Sequence, residues 1–134
     1  MQLRTLLHAS LALLLMSVPA SAQSLTPMRQ SGFTPSDVKG FRLEIGNPYP
    51  KPMTFVIVPM DTKFSTIAGQ AVVTPSQARL PSGGTRSVVV QFRIPPAYKE
   101  RSIGVCVYAK EIEGQVLPRV CGTYTGQLLP RRGG

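Results

Sequence analysis

From Gln23 onward no stretch of the chain repeats with a helical period; apolar and polar residues alternate instead. Thr85 to Ile94 is the clearest case, with Val88, Val90, Phe92 and Ile94 on one face and Val89, Gln91 and Arg93 on the other. A period of two buries one face of a strand and cannot bury one face of a helix. The 13 prolines and 12 glycines then say where strands must stop. Phe41-Arg42-Leu43-Glu44-Ile45 alternates, and Gly46 to Pro52 follows with Pro48, Pro50 and Pro52, which forbid both helix and ladder. Thr54 to Val58 is a β-branched run closed by Pro59, so the two runs read as consecutive antiparallel strands joined by a rigid loop.

The rest of the chain follows the same logic. Phe64 to Ala68 and Ala71 to Thr74 are short candidate strands punctuated by Gly69 and Pro75, and Leu80 to Gly84 is a turn. Pro95-Pro96 stops the long strand that begins at Thr85. Ile103, Val105, Val107 and Ala109 share one face of the next strand. Glu113-Gly114 is a turn, and about Gln115 to Leu129 forms the last strand or strands. About seven short strands at a spacing of roughly 8–12 residues give an all-β, immunoglobulin-like β-sandwich as the expected architecture, with an open barrel as its competitor.

The first 22 residues stand apart as a cleavable signal peptide. Arg4 supplies the positive start, Leu6 to Val18 the apolar run, and Ala20-Ser21-Ala22 the small residues before the cut. The run is shorter than the roughly 20 apolar residues of a spanning helix, and Pro19 ends it. No cysteine follows it to carry a lipid. Cleavage leaves 112 of the 134 residues: one domain at 23–129 and a disordered tail at 130–134. The expected location is the periplasm, reached through the general export pathway.

Cleavage also removes His8, the only histidine. Ser-His-Asp and Cys-His devices are thereby excluded. The six acidic residues are scattered, and Glu111 and Glu113 read as solvated hairpin charges. Gly83-Gly84 lacks the Gly-Lys-Ser/Thr continuation of a phosphate loop. No enzymatic activity, cofactor or metal site is expected. The mature chain keeps 14 Lys and Arg against 6 acidic residues, a net charge of +8. These cations are spread singly, apart from Arg131-Arg132, and no aromatics interleave them to stack on bases. Nucleic acid is not expected as a partner. Peripheral membrane contact is compatible with the charge but is not predicted.

Cys106 and Cys121 are the only cysteines, and an even pair in an exported protein is expected to be bridged. If the hairpin turns on Glu113-Gly114, the two stand directly opposite each other. Pro118 complicates the register, because it cannot donate a ladder hydrogen bond. A two-residue turn puts Pro118 where no donor is needed but places the cysteines in a wide, hydrogen-bonded pair. A four-residue turn reverses both outcomes, and a bulge would reconcile them. In each case proline puts the last strand at a sheet edge.

Three segments resemble the first domain of periplasmic pilus-assembly chaperones. They are Phe41 to Val58 with its Asn47-led turn, Val73 to Val90 with Leu80-Pro81 and Gly83-Gly84, and Lys99 to Ile112. The likeness covers roughly residues 24–125. It implies a non-enzymatic domain that binds exported pilin-like subunits and lends them its last strand, a form of β-augmentation. The lent residues would be Val116, Val120, Tyr124 and Leu128. Some branches of the family link the last two strands by a disulfide, to which Cys106–Cys121 is similar. Members hold the subunit's C-terminal carboxylate with an Arg of the first strand and a Lys of the last. Arg29 is the first-strand candidate here, and Arg119 or Arg131 would replace the absent Lys. The family continues into a second domain, where this chain ends. The alternative function is a secreted structural or adhesive component of a surface assembly.

Overall fold

The computed structural model describes residues 24–112 and 118–130; the expected signal peptide, the expected turn at Glu113-Gly114, Val116 and Arg131 lie outside the described residues. Among the described residues nine strands form: β1 (Ser24–Thr26), β2 (Arg29–Thr34), β3 (Val38–Gly46), β4 (Met53–Met60), β5 (Ala71–Thr74), β6 (Gln77–Leu80), β7 (Thr85–Arg93), β8 (Glu100–Ala109) and β9 (Arg119–Leu128). One sheet has the order β1-β3-β7-β5, the other β2-β9-β8-β4-β6. The two pack face to face as an immunoglobulin-like β-sandwich.

The alternation read from the sequence sets the core. Val88, Val90, Phe92 and Ile94 are buried, as are Ile103, Val105, Val107 and Ala109 on the facing sheet. Phe41, Leu43 and Ile45 join them from β3, and Met53, Phe55 and Ile57 from β4. Tyr124 of β9 lies among them with its ring 6.0 Å from that of Phe41. Arg101 closes one end of the sandwich, its guanidinium donating to Arg93 O at 2.9 Å and Gly69 O at 2.6 Å.

Besides β6, which runs through Leu80 where a turn was expected, two elements differ from the sequence reading. Phe64 to Ala68 forms a loop touching β4 through a single Met60–Ile67 bridge. Asp61 explains it. Its carboxylate accepts from Ser65 N (2.8 Å), Ser65 Oγ (3.0 Å) and Thr66 Oγ1 (3.2 Å), a local alternative to a ladder. These bonds, led by that of the Ser65 amide, hold the Asp61 pKa down at about 2. The second difference is at the start of the domain. The segment Ser24–Thr34 serves both sheets, first as β1 antiparallel to β3 and then, beyond Pro27, as β2 parallel to β9.

Candidate functional site

The β8–β9 hairpin pairs Glu100 with Gln127 through Tyr108 with Arg119, which sets Cys106 opposite Cys121. The two are joined by a disulfide. Hydrogen-bond phase decides the register question. Thr123 N donates to Met28 O (2.8 Å) on the β2 side, whereas Leu128 N donates to Lys99 O (2.7 Å), next to β8. Odd residues of β9 therefore aim their main-chain groups away from β8, and even residues aim theirs toward it. Cys106–Cys121 is thus a close, non-hydrogen-bonded pair, with a Cα separation of 4.1 Å. The next hydrogen-bonded position would ask Pro118 to donate to β8. The ladder ends one pair earlier, at Tyr108–Arg119.

β2 runs beside β9 only from Thr123 to Leu128. Arg119 to Gly122 lies beyond that pairing, so the amides and carbonyls of Arg119 and Cys121 face an open edge. Gly122 marks the boundary: a Cβ there would collide with the Tyr124 hydroxyl and the Met28 carbonyl. Tyr124 pins the crossing point, its hydroxyl donating to Pro27 O at 2.6 Å. Burial pushes that phenol up to about 12.

The open segment is stiffened from its outer side. Arg119 donates to Phe64 O at 2.8 Å. Phe64 holds a left-handed φ of 56° within the Asp61 loop. Its ring lies over Gly104, where any side chain would clash with it. The disulfide, the Asp61 loop and the Arg119 bond together fix the part of β9 that β2 leaves uncovered.

The residues expected to form the lent face fall differently. Val120 is half-buried and packs on its own core, Tyr124 is fully buried, and Leu128 is half-buried opposite Thr34. A free edge along the whole strand is therefore corrected: β2 occupies it at Tyr124 and Leu128. The even-numbered side chains turn inward because that face of β9 covers Phe41. What remains open is main chain at Arg119–Gly122, which carries no residue-type signal. Pro118 gives no guide to the phase: its missing donor falls on the β8 side and ends the ladder at Tyr108–Arg119. Of the cations, Arg29 stands exposed opposite Thr123, and Arg119 stands opposite Tyr108. They mark the two ends of the open segment, about 13 Å apart along the strand. A groove of about 680 Å³ lies at the far end of the domain, lined by Pro35, Pro96, Lys99, Leu128, Leu129 and Pro130 among others. Among the described residues no group of three or more acidic, Cys or His side chains could hold a metal ion.

The fold has counterparts among solved structures. The E. coli chaperone DraB superposes with a TM-score of 0.63 at 19% identity, over 80% of this chain and 55% of DraB. A chain of the Salmonella enterica SafA pilin–SafB chaperone complex gives 0.64 at 18%, over 84% of this chain and 57% of that one. Domain 7 of human CEP192, described as PapD-like, gives 0.60 at 14%, over 82% and 87%. The fold is PapD-like. No family model and no curated protein matches the sequence. The chain spans a little over half the length of the two bacterial chains. The PapD-like fold occurs both in bacterial pilus chaperones and in a human domain, so the fold alone does not name a partner.

Proposed function

We propose that this chain is a non-enzymatic periplasmic chaperone or accessory factor. It holds an exported, pilin-like subunit by main-chain pairing at the open edge of β9. The observation that carries the reading is the uncovered, disulfide-braced segment Arg119–Gly122. An added strand there would satisfy the outward groups of Arg119 and Cys121, as β-augmentation requires. The bacterial PapD-like neighbours support a chaperone role, and one of them is a pilin–chaperone complex. The signal sequence at 1–22 would deliver the chain to the compartment where such subunits are assembled. Arg29 and Arg119, at the two ends of the segment, are the cations available to a carboxylate on the incoming chain.

The phase of β9 supplies a clean test. Arg119→Pro removes an outward N–H and leaves the β8 ladder intact, because the lost donor faces the open edge. Arg119→Ala removes the same side chain and keeps the donor. With a purified pilin subunit lacking its last strand, Arg119→Pro is expected to weaken binding by about ten-fold or more relative to Arg119→Ala. Equal binding by the two variants would overturn edge pairing.

A further inference from the structure

We propose that β2 is a displaceable strap, and that the edge it covers on β9, Thr123 to Leu128, is a second, latent docking edge. Its occupant would be an extended strand of another exported protein with apolar side chains at alternate positions. The proposal rests on the reading of β9 as a partner-binding edge and extends the contact beyond Arg119–Gly122.

β2 fills its place poorly. Its inward positions are Gln30, Gly32 and Thr34, and only Thr34 is buried. Gln30 Oε1 is buried with no hydrogen-bond partner in the structure. Such an orphan oxygen favours any state that wets it. Gly32 brings no side chain to a site where its Cβ would lie 3.6 Å from the Phe41 ring. The nearest atoms there belong to the flexible end of Lys39, at 3.1 and 3.3 Å, which can swing aside. The outward residues give little grip either: Arg29 and Ser31 are exposed and Phe33 is 58% exposed. The strap meets the sheet through one parallel ladder and leaves its other edge open.

Its ends are held firmly. Leu25 of β1 is buried, and Tyr124 binds Pro27 O. At the other end, Thr34 O accepts from Leu129 N at 2.9 Å, and Thr34 Oγ1 donates to Val38 O at 2.8 Å. Between these points Met28 to Phe33 is already extended and has no slack to bow, so opening releases Thr34 and swings the strap about Pro27. A strand with apolar side chains where Gln30 and Gly32 now stand would cover Phe41 and Tyr124 better than the strap does. It would leave no buried amide oxygen unpaired.

The test is amide exchange by NMR on the full mature chain. On β9 the amides of Thr125 and Gln127 face β2, and those of Tyr124 and Gly126 face β8. Opening of the strap is expected to make the first pair exchange at least about ten-fold faster than the second. Equal rates would mean that β2 leaves only with global unfolding, which would overturn the strap. Gln30→Leu removes the orphan oxygen and is expected to slow Thr125 and Gln127 by roughly three-fold without changing Tyr124. No slowing would contradict the poor fit. The occupant is probed with a synthetic peptide alternating valine and threonine between terminal lysines, at about 1 mM. It should protect Thr125 and Gln127 more than a peptide with serine in place of valine. Equal effects of the two peptides would sink the apolar-strand assignment. None of these readouts involves Arg119, so loss of the strap and loss of the open-edge reading are separately visible.

Discussion

Asn47→Ala is expected to cost the fold about 3 kcal/mol in urea unfolding, a large part of the stability of a domain this size. The side chain is buried, and its amide nitrogen lies 2.9 Å from Lys51 O, 3.0 Å from Leu80 O and 3.1 Å from Pro81 O. Its oxygen accepts from Tyr49 N at 2.9 Å. The backbone of the same residue donates to Gly84 O and accepts from Gly83 N. One asparagine thus ties the proline-rich loop after β3 to the turn before β7, at the same end of both sheets. Alanine would take this donor from Leu80 O, in the buried bond of the set, and from Lys51 O, while Pro81 O keeps Gly84 N; each orphan costs about 1–3 kcal/mol. Asn47→Asp is expected to be worse at neutral pH, since a carboxylate would face three carbonyl oxygens. A loss below about 1 kcal/mol for the alanine variant would show that the two loops rewet or repack independently.

Replacing both cysteines by alanine is expected to cost a similar amount. The bridge closes a separation of 15 residues, for which loop-closure entropy alone is worth about 3 kcal/mol. For a domain of this length that loss corresponds to a fall in Tm of roughly 12–20 °C by calorimetry. Alanine is the appropriate replacement because Cys106 is buried, and serine would add an unpaired hydroxyl. The substitution should also loosen Arg119–Gly122 selectively, because the bridge sits on that segment and β2 does not. Partner affinity should then fall further than that of an equally destabilised core variant such as Val88→Ala. Equal affinity loss in the two would place the bridge in global stability only.

The sandwich was legible because one face of each long strand alternates into the core, although β8 also buries Gly104 and Cys106 on its other face. Ala71–Thr74 matches its expected limits, and the inward faces read from β7 and β8 are the buried ones. The opposed cysteines were legible for the same reason: period-two pairing around a turn is arithmetic. Ser24–Thr34 was not. Its inward residues include Gln30 and Gly32, so it has no apolar alternation to find, and Pro27 divides it between two sheets. Phe64–Ala68 misled because apolar residues there belong to a loop clasped by Asp61. The site followed suit. Val120, Tyr124 and Leu128 do share a face, as alternation requires. Alternation alone could not say that this face points into the domain's own core, nor that β2 covers half of the strand. Only the phase set by Thr123 and Met28 locates the open groups.

The most direct measurement is amide exchange across β9 in a complex with a pilin subunit that lacks its last strand. Edge pairing predicts that the amides of Arg119 and Cys121 become protected on binding, while those of Val120 and Gly122, already bonded to β8, keep the rates they have in the free protein. A complex that forms with Arg119 and Cys121 unprotected would contradict the account.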